Sequence, residues 1–357
     1  MKYGYFDENV CTLRMKIDMK HENPNMKDPC AYRVRFVPHP HSGDAWCIYP
    51  TYDYTHCIID SLENVTHSLC TLEFEIRRES YYWLLDALDI YRPNVWEYSR
   101  LNISNTVTSK RKCEALINTG KITGWDDPRM HTIQGLRRKG YTPTIINKFC
   151  ASIGVARNGN ENITSTKVLE HVARQEFIKT APLTMAVMDG VLVKIVNFSE
   201  VEKTEAEIPF YVVNAARGSQ KYKVGEEVYI DRCDFSAEPR ADFFGLQPDK
   251  VTRLYYGPCI KIVEVVKTSS GDVDHIKVTR VPDDKKAKII QWVTKSESVK
   301  ATCNLYSALL SEENPAAAAK KDGKDWTDYF NDDSLVVMKN AYIWKHIAND
   351  FKVLDRY

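Results

Sequence analysis

The thirteen residues Arg100-Leu-Asn-Ile-Ser-Asn-Thr-Val-Thr-Ser-Lys-Arg-Lys112 have the types and order that polyphosphate chemistry asks for. Ser109 stands where a side chain can cap a helix opening at Lys110, and backbone donors at such a start, beside a lysine point charge, suit a chain of phosphates. A capped basic helix without a ligand fits the same residues. Tyr52 and His56, four apart, share one face if the segment is helical, either as core neighbours or as one wall of a pocket. The adjacent carboxylates Asp126 and Asp127 are read as structural, because neighbouring residues on a helix or turn point in different directions and make a poor acid–base couple.

Charge concentrates around that stretch. Over 357 residues, 49 Lys and Arg stand against 48 Asp and Glu, a formal charge of +1, so any polyanion site must be local. Between Arg100 and Arg157 there are eleven basic residues and three acidic ones, a surplus of eight, which marks this region as the candidate phosphate-binding face. With 43% hydrophobic residues the chain can build true cores, and its length suggests two or three domains. No apolar run nears the roughly 18 residues of a membrane span, and Met1-Lys-Tyr-Gly-Tyr-Phe6 opens no signal-peptide core, so a cytoplasmic protein is expected. Ten cysteines without a C-x-x-C pair argue against a zinc site and a disulfide framework, and read as reduced, mostly buried thiols.

The elements that must position these residues change character along the chain. Alternation over 12–18 and 32–37 predicts half-buried strands. A helical pattern over 79–88, set between short apolar runs, predicts half of an α/β unit. From 109 to about 179 the spacing is helical over 110–118, 132–139, 143–153 and 166–180, with breaks at Gly120, Gly140 and the Asn158–Asn162 loop. Beyond Ala181, short strands over 192–196, 227–231, 261–266, 275–279 and 289–293 suggest one or two antiparallel barrels. The Ala316–Ala319 run reads as a surface loop or short helix.

Six blocks then carry a resemblance: Cys47-Ile-Tyr-Pro-Thr-Tyr-Asp-Tyr-Thr-His56, Val65-Thr-His-Ser-Leu-Cys-Thr-Leu-Glu-Phe74, Arg100-Leu-Asn102, Val107-Thr-Ser-Lys-Arg111, Gly124-Trp-Asp-Asp-Pro-Arg129 and Gly135-Leu-Arg-Arg-Lys-Gly140. In that order and spacing the chain resembles the glutaminyl-tRNA synthetases of eukaryotic type, class I aminoacyl-tRNA synthetases. The related glutamyl enzymes share much of the architecture, but the Tyr-Thr-His-Cys and Thr-His-Ser-Leu-Cys-Thr blocks favour glutamine. The resemblance implies a multidomain α/β plus all-β chain: a remnant of the acceptor-stem-binding insertion over 1–47, the second half of a Rossmann-like nucleotide-binding catalytic domain over 48–107, a helical subdomain with a KMSKS-like loop over 108–180, and an antiparallel β-barrel anticodon-binding region over 181–357.

It also implies roles. Tyr52, His56 and Phe74 would bind glutamine. Thr71, Arg100, Leu101, Thr108, Ser109 and Lys110 would bind ATP, brought with Mg2+, and Lys110 with Ser109 would stabilise charge developing on the α-phosphate and the departing pyrophosphate. The substrate carboxylate is itself the nucleophile, so positioning and charge neutralisation suffice, and no protein metal site is expected. Arg111, Lys112, Arg137, Arg138, Lys139 and Arg157 would meet tRNA(Gln). No HIGH signature occurs, and the first fifty residues match the later part of the insertion, so the expectation is a chain beginning within the catalytic domain and ending before its last strands. Such a chain is inactive alone; the alternatives are a catalytically dead tRNA-binding remnant or a glutamate–tRNA ligase. Other synthetases or a missing N-terminal half would be further partners. Leu183 and Gly245 stand where arginines that meet the anticodon are expected, losses of about 1–3 kcal/mol each.

Overall fold

The computed structural model describes residues 1–157, 162–200, 204–350, 352 and 354–356. All of the Asn158–Asn162 break except Asn162 itself lies outside them. The chain forms two compact units, residues 1–102 with 153–163, and residues 103–152 with 164–357.

In the first unit, β1 (Thr12–Arg14), β2 (Cys30–Val34) and β3 (Ile48–Pro50) form an antiparallel sheet in that order. There follow α1 (Tyr52–Leu62), β4 (His67–Thr71), α2 (Arg78–Leu88) and β5 (Asn94–Tyr98). β4 and β5 pair in parallel from His67 opposite Asn94 to Thr71 opposite Tyr98, with α2 as the crossover such a pair requires. Cys57 of α1 and Tyr81, Leu84 and Leu85 of α2 make the core, so the two helices pack by their apolar faces. This is the α/β unit that the 79–88 pattern predicts.

β6 (Asn102–Ile103) and β7 (Ile163–Thr164) pair as a two-stranded ribbon. The helices of the second region are α3 (Lys110–Asn118), α4 (Ile133–Arg138), α5 (Pro143–Ile153) and α6 (Thr166–Thr180), within a residue of their predicted bounds. The strands beyond are β8 (Ala186–Val187), β9 (Gly190–Ile195), β10 (Glu205–Pro209), β11 (Ser219–Lys223), β12 (Glu227–Asp231), β13 (Thr252–Leu254), β14 (Cys259–Lys267), β15 (Val273–Val281), β16 (Lys288–Ile290), β17 (Trp292–Thr294) and β18 (Ser298–Tyr306). The chain finishes with α7 (Pro315–Asp322), β19 (Leu335–Trp344) and α8 (Lys345–Asp350).

These strands correct the expectation of closed antiparallel barrels. Seven form one open sheet in the order β16-β13-β14-β15-β9-β12-β17, and two of its pairings, β13 with β16 and β15 with β9, are parallel. Its two edge strands are separated in sequence by Gln291 alone, because the predicted 289–293 strand is cut there and its halves pair at opposite edges. β18, β19 and β8 form a separate three-stranded sheet, and β10 with β11 a hairpin. Alternate residues Val191, Val193 and Ile195 of β9 and Val228 and Ile230 of β12 point into one core around the fully buried Trp292, whose indole N–H donates to the Tyr255 carbonyl at 3.0 Å.

At both positions where the resemblance leads one to expect arginine, the residue present has a packing role. Leu183 packs against that core. At Gly245 a Cβ would lie 2.3 Å from the Asp234 carbonyl oxygen, so this backbone path admits no side chain. Gly135 likewise lets α4 rest on the Asp127 and Met130 carbonyls, which a Cβ would meet at 2.6 and 2.5 Å. All ten cysteines are free thiols, and four of them, Cys57, Cys70, Cys113 and Cys259, are buried; burial is therefore less general than expected.

Asp126 and Asp127 part company, as adjacent residues should. Asp126 meets Arg138 at the surface, 3.1 Å away. Asp127 is only 2% exposed and accepts from Arg129 Nη2 at 2.8 Å and from the Thr123 amide at 3.0 Å. Burial works against its ionisation, yet the Arg129 guanidinium and the two amides of Thr123 and Arg129 outweigh it and hold the carboxyl down at about 2, against an ordinary 3.8. Arg129 Nη1 in turn donates to Ser334 Oγ, tying the 124–129 turn to the segment before β19. Replacing Asp127 by Asn leaves Arg129 buried without a counter-charge and should cost about 3–5 kcal/mol in urea denaturation. Because the native carboxyl titrates below the unfolded one, its contribution is present above pH 3.8 and is lost as pH falls towards about 2.

Candidate active site

β3 ends at Pro50, and Thr51 turns the chain into α1. The Thr51 hydroxyl donates to the Cys30 carbonyl on β2 rather than capping the helix, which pins the start of α1 to the sheet. Tyr52, His56 and Asp60 then lie at successive four-residue steps on one helix face. The Tyr52 ring stacks on His56, with centroids 4.9 Å apart, and tilts against Phe74 at 4.8 Å. Phe74 sits in the 3-10 turn Leu72–Arg77 that leaves β4, with the Arg77 guanidinium 5.1 Å from its ring centre. Arg77 is itself held by Asp53 at 2.5 Å. The structure thus brings the three predicted glutamine-site residues into one aromatic cluster inside the first unit. Burial, with Cys70 and Asp60 nearby, raises the Tyr52 phenol above its ordinary value, so the hydroxyl keeps its proton at neutral pH.

Behind this wall His56 Nε2 lies 3.2 Å from Ser68 Oγ and 3.2 Å from Asp60 Oδ2, and Ser68 donates to the same Asp60 oxygen at 2.5 Å. Tyr81 closes the far side edge-on, with centroids 5.3 Å apart. Sequence reasoning missed Asp53, Asp60, Ser68 and Arg77. The step of four from His56 to Asp60 was a usable signal; Ser68 comes from β4, and nothing local announces it.

Thr71 ends β4, and Arg100 and Leu101 follow β5, so these three lie at the carboxyl ends of the parallel pair, the side on which open α/β sheets bind ligands. Arg100 meets Glu73 at 2.5 Å, and Leu101 is exposed. Beneath them Glu97, wholly buried on β5, is ion-paired to Arg78. Arg157 also belongs to this unit, paired with Glu75 and 4.0 Å from Glu97.

The rest of the predicted set lies in the second unit. Thr108 is exposed, and Ser109 holds the N-cap position of α3 with extended backbone, but its hydroxyl makes no capping bond, contrary to the expectation. The Lys110 side chain is 80% exposed, with Glu114 at 3.6 Å as its ion-pair partner. Arg111 and Arg137 are exposed, Arg138 pairs with Asp126, and Lys112 lies 5.1 Å over the Trp326 ring. Lys139 is half-buried, lining with Arg129, His131, Glu170 and Ser307 a polar cavity of about 150 Å³. Burial lowers its ammonium pKa, with Glu170 opposing.

Residues 1–177 match the model for the catalytic domain of tRNA synthetases class I (E and Q), and residues 181–281 and 289–356 match the two models for the anti-codon binding domain of the same enzymes. The chain belongs to that family of class I tRNA synthetases. Among its relatives are a probable glutamine–tRNA ligase of Dictyostelium discoideum, 45% identical over all of this chain and 45% of the relative. The glutamine–tRNA ligase of Lupinus luteus is 44% identical over the same shares, and that of Neisseria gonorrhoeae 41% identical over 94% of this chain and 62% of the relative. The chain spans about half the length of the first of these relatives.

His131, which lines the Lys139 cavity and meets Thr106 Oγ1 at 3.1 Å, generates a pH prediction. Burial, helped by Lys139, pushes its imidazole down to about 4 from an ordinary 6.5. Below pH 6.5 the unfolded chain takes up a proton that the native one refuses, so stability should fall by about 3 kcal/mol between pH 6.5 and 4. Denaturation across that window should show the slope in the native sequence and its loss in His131→Gln.

Proposed function

We propose that the protein is a glutamine–tRNA ligase, which activates glutamine with ATP to the adenylate and transfers it to the 3′ end of tRNA(Gln). The observation that carries this reading is the likeness to glutamine–tRNA ligases along the whole chain, coinciding with the aromatic cluster of Tyr52, His56 and Phe74. In this reading Tyr52, His56 and Phe74 hold the amino acid. Thr71, Arg100, Leu101, Thr108, Ser109 and Lys110 are assigned to ATP.

Glutamine's carboxylate attacks the α-phosphorus, and the bond to pyrophosphate breaks. Lys110, on its exposed stem, neutralises charge on the α-phosphate and on the departing pyrophosphate, an interaction stronger in the transition state than before it. Mg2+ would come with the nucleotide's phosphates. Arg111, Lys112, Arg137, Arg138, Lys139 and Arg157 are assigned to tRNA phosphates, and residues 181–357 to the anticodon. No described helix is long and apolar enough to cross a membrane. A cytoplasmic site is proposed, as the name of the Arabidopsis thaliana relative has it for that protein.

Two measurements check the reading. The chain should retard tRNA at about 50 mM salt and release it steeply by about 200 mM, and Arg111→Ala with Arg137→Ala should flatten that slope by about two. Equal mobility with and without tRNA at low salt would contradict the assignment. This chain by itself is expected, as above, to be inactive, so the ligase step is measured in a form that esterifies labelled glutamine to tRNA with ATP and Mg2+; there Lys110→Ala should slow adenylate formation by about 10²–10³-fold.

A further inference from the structure

The segment that joins β2 to β3 lines, with those two strands, a groove of about 450 Å³ that no role assigned above uses. Small-ligand sites run from roughly 300 to 1,000 Å³, mostly apolar with a few fixed polar groups. This groove has that character. Its rings are Tyr32 on β2, Tyr49 on β3, and His39 and Trp46 between them, with the His39 and Tyr49 centroids 6.4 Å apart. Trp46 is exposed, and Lys2 Nζ lies 5.2 Å over its ring.

The donor in the groove is set by its own turn. The amides of His41 and Ser42 both donate to His39 Nδ1, at 3.2 and 3.3 Å, so that nitrogen carries no proton and the ring hydrogen is on Nε2. Among the described residues Nε2 has no hydrogen-bond partner, and neither has the Ser42 hydroxyl that lines the same groove. The Tyr49 phenol is already committed, donating to the Val37 carbonyl at 2.5 Å. Tyr49 and Pro50 also line a second opening, whose cations are Arg33 and Arg35. Arg33 stands opposite Tyr49 in the strand register and has no carboxylate within 4 Å among the described residues, whereas Arg35 meets Glu8 at 3.5 Å.

We infer that this groove holds one nucleotide, its unpaired base stacked on Trp46 and accepting from His39 Nε2–H, and its phosphate on Arg33 and Arg35. Every base has a π-face and an acceptor on its edge, and every nucleotide brings the negative charge that the two arginines call for. An aliphatic ligand would use neither the donor nor the cations. The inference goes beyond the ligase reading and does not depend on it. Its chemistry is common to a free nucleotide and to an unpaired position in an RNA strand.

Calorimetric titration of the full chain with cytidine monophosphate and with single-stranded hexacytidylate tests this, pyrimidines being chosen because adenine would also report the residues assigned to ATP. Binding is expected by about 1 mM ligand. It should weaken about 10- to 100-fold in Trp46→Leu and be largely regained in Trp46→Phe, which keeps a stacking face. His39→Asn retains an acceptor for the two turn amides but lacks the donor, and should cost about fivefold. Arg33→Ala should reduce the salt slope of the hexanucleotide by about 0.7. Equal affinity for the two ligands identifies a free nucleotide as the occupant, and tighter binding of the hexanucleotide identifies an RNA strand; both support the proposal. Binding of neither ligand, or an affinity unmoved in Trp46→Leu and His39→Asn with both folded by circular dichroism, would overturn it. So would equal binding of the same sequence within a duplex. Such a failure leaves the ligase reading standing, because none of these four residues is assigned to glutamine or ATP.

Discussion

The helical spacing of Tyr52, His56 and Asp60 is the constraint on which the candidate site depends. Steps of four along α1 put an aromatic ring, an imidazole and a carboxylate in one row, and each holds the next: Tyr52 stacks on His56, and His56 meets Asp60. The row is useful only if α1 is fixed in rotation. That is achieved at one end by the Thr51 hydroxyl on the Cys30 carbonyl and along its length by Cys57 against Tyr81, Leu84 and Leu85. A rotation of α1 by one residue would turn Cys57 out of the core and the row away from Phe74.

Electrostatics in this protein is mostly internal. The surplus of basic residues between 100 and 157 suggests a bare cationic face, yet Arg100, Lys110, Arg129, Arg138, Lys148 and Arg157 each have an acidic partner within 4 Å. Exposed pairs of this kind contribute about 0–1 kcal/mol, so a phosphate can replace the carboxylate at little cost. The buried Arg129–Asp127 pair is different in kind: it is fixed by three hydrogen bonds from Arg129 to the Asp127 carboxylate and a fourth from the Thr123 amide, and it supports the turn against which α4 rests. Lys110 lies at the exposed extreme, on a capping turn whose serine leaves the first amides of α3 without a side-chain acceptor.

Local order was legible in the sequence where one residue type punctuates a periodic run. Ser109, Pro143 and Ser165 stand at the starts of α3, α5 and α6, whose ends match their apolar spacing. What could not be read was pairing between distant segments. Gln291 cuts a continuous apolar strand only because its two halves face different partners, β13 and β12, and no local feature marks the cut. The same holds for Ser68, which reaches His56 from another element, and for Gly245, whose missing side chain answers to the Asp234 carbonyl. In the candidate site, the residues assigned to a ligand came from the family resemblance; of their hydrogen-bonded neighbours, Asp60 had a signal in its step of four from His56, whereas Ser68 became visible only as a hydrogen bond.

A crystal structure of the full chain with a non-hydrolysable analogue of glutaminyl adenylate would test the central claim most directly. The account predicts the carboxamide of the analogue lying beside the Tyr52 and His56 rings and against Phe74. Analogue density that leaves Tyr52, His56 and Phe74 untouched would contradict it.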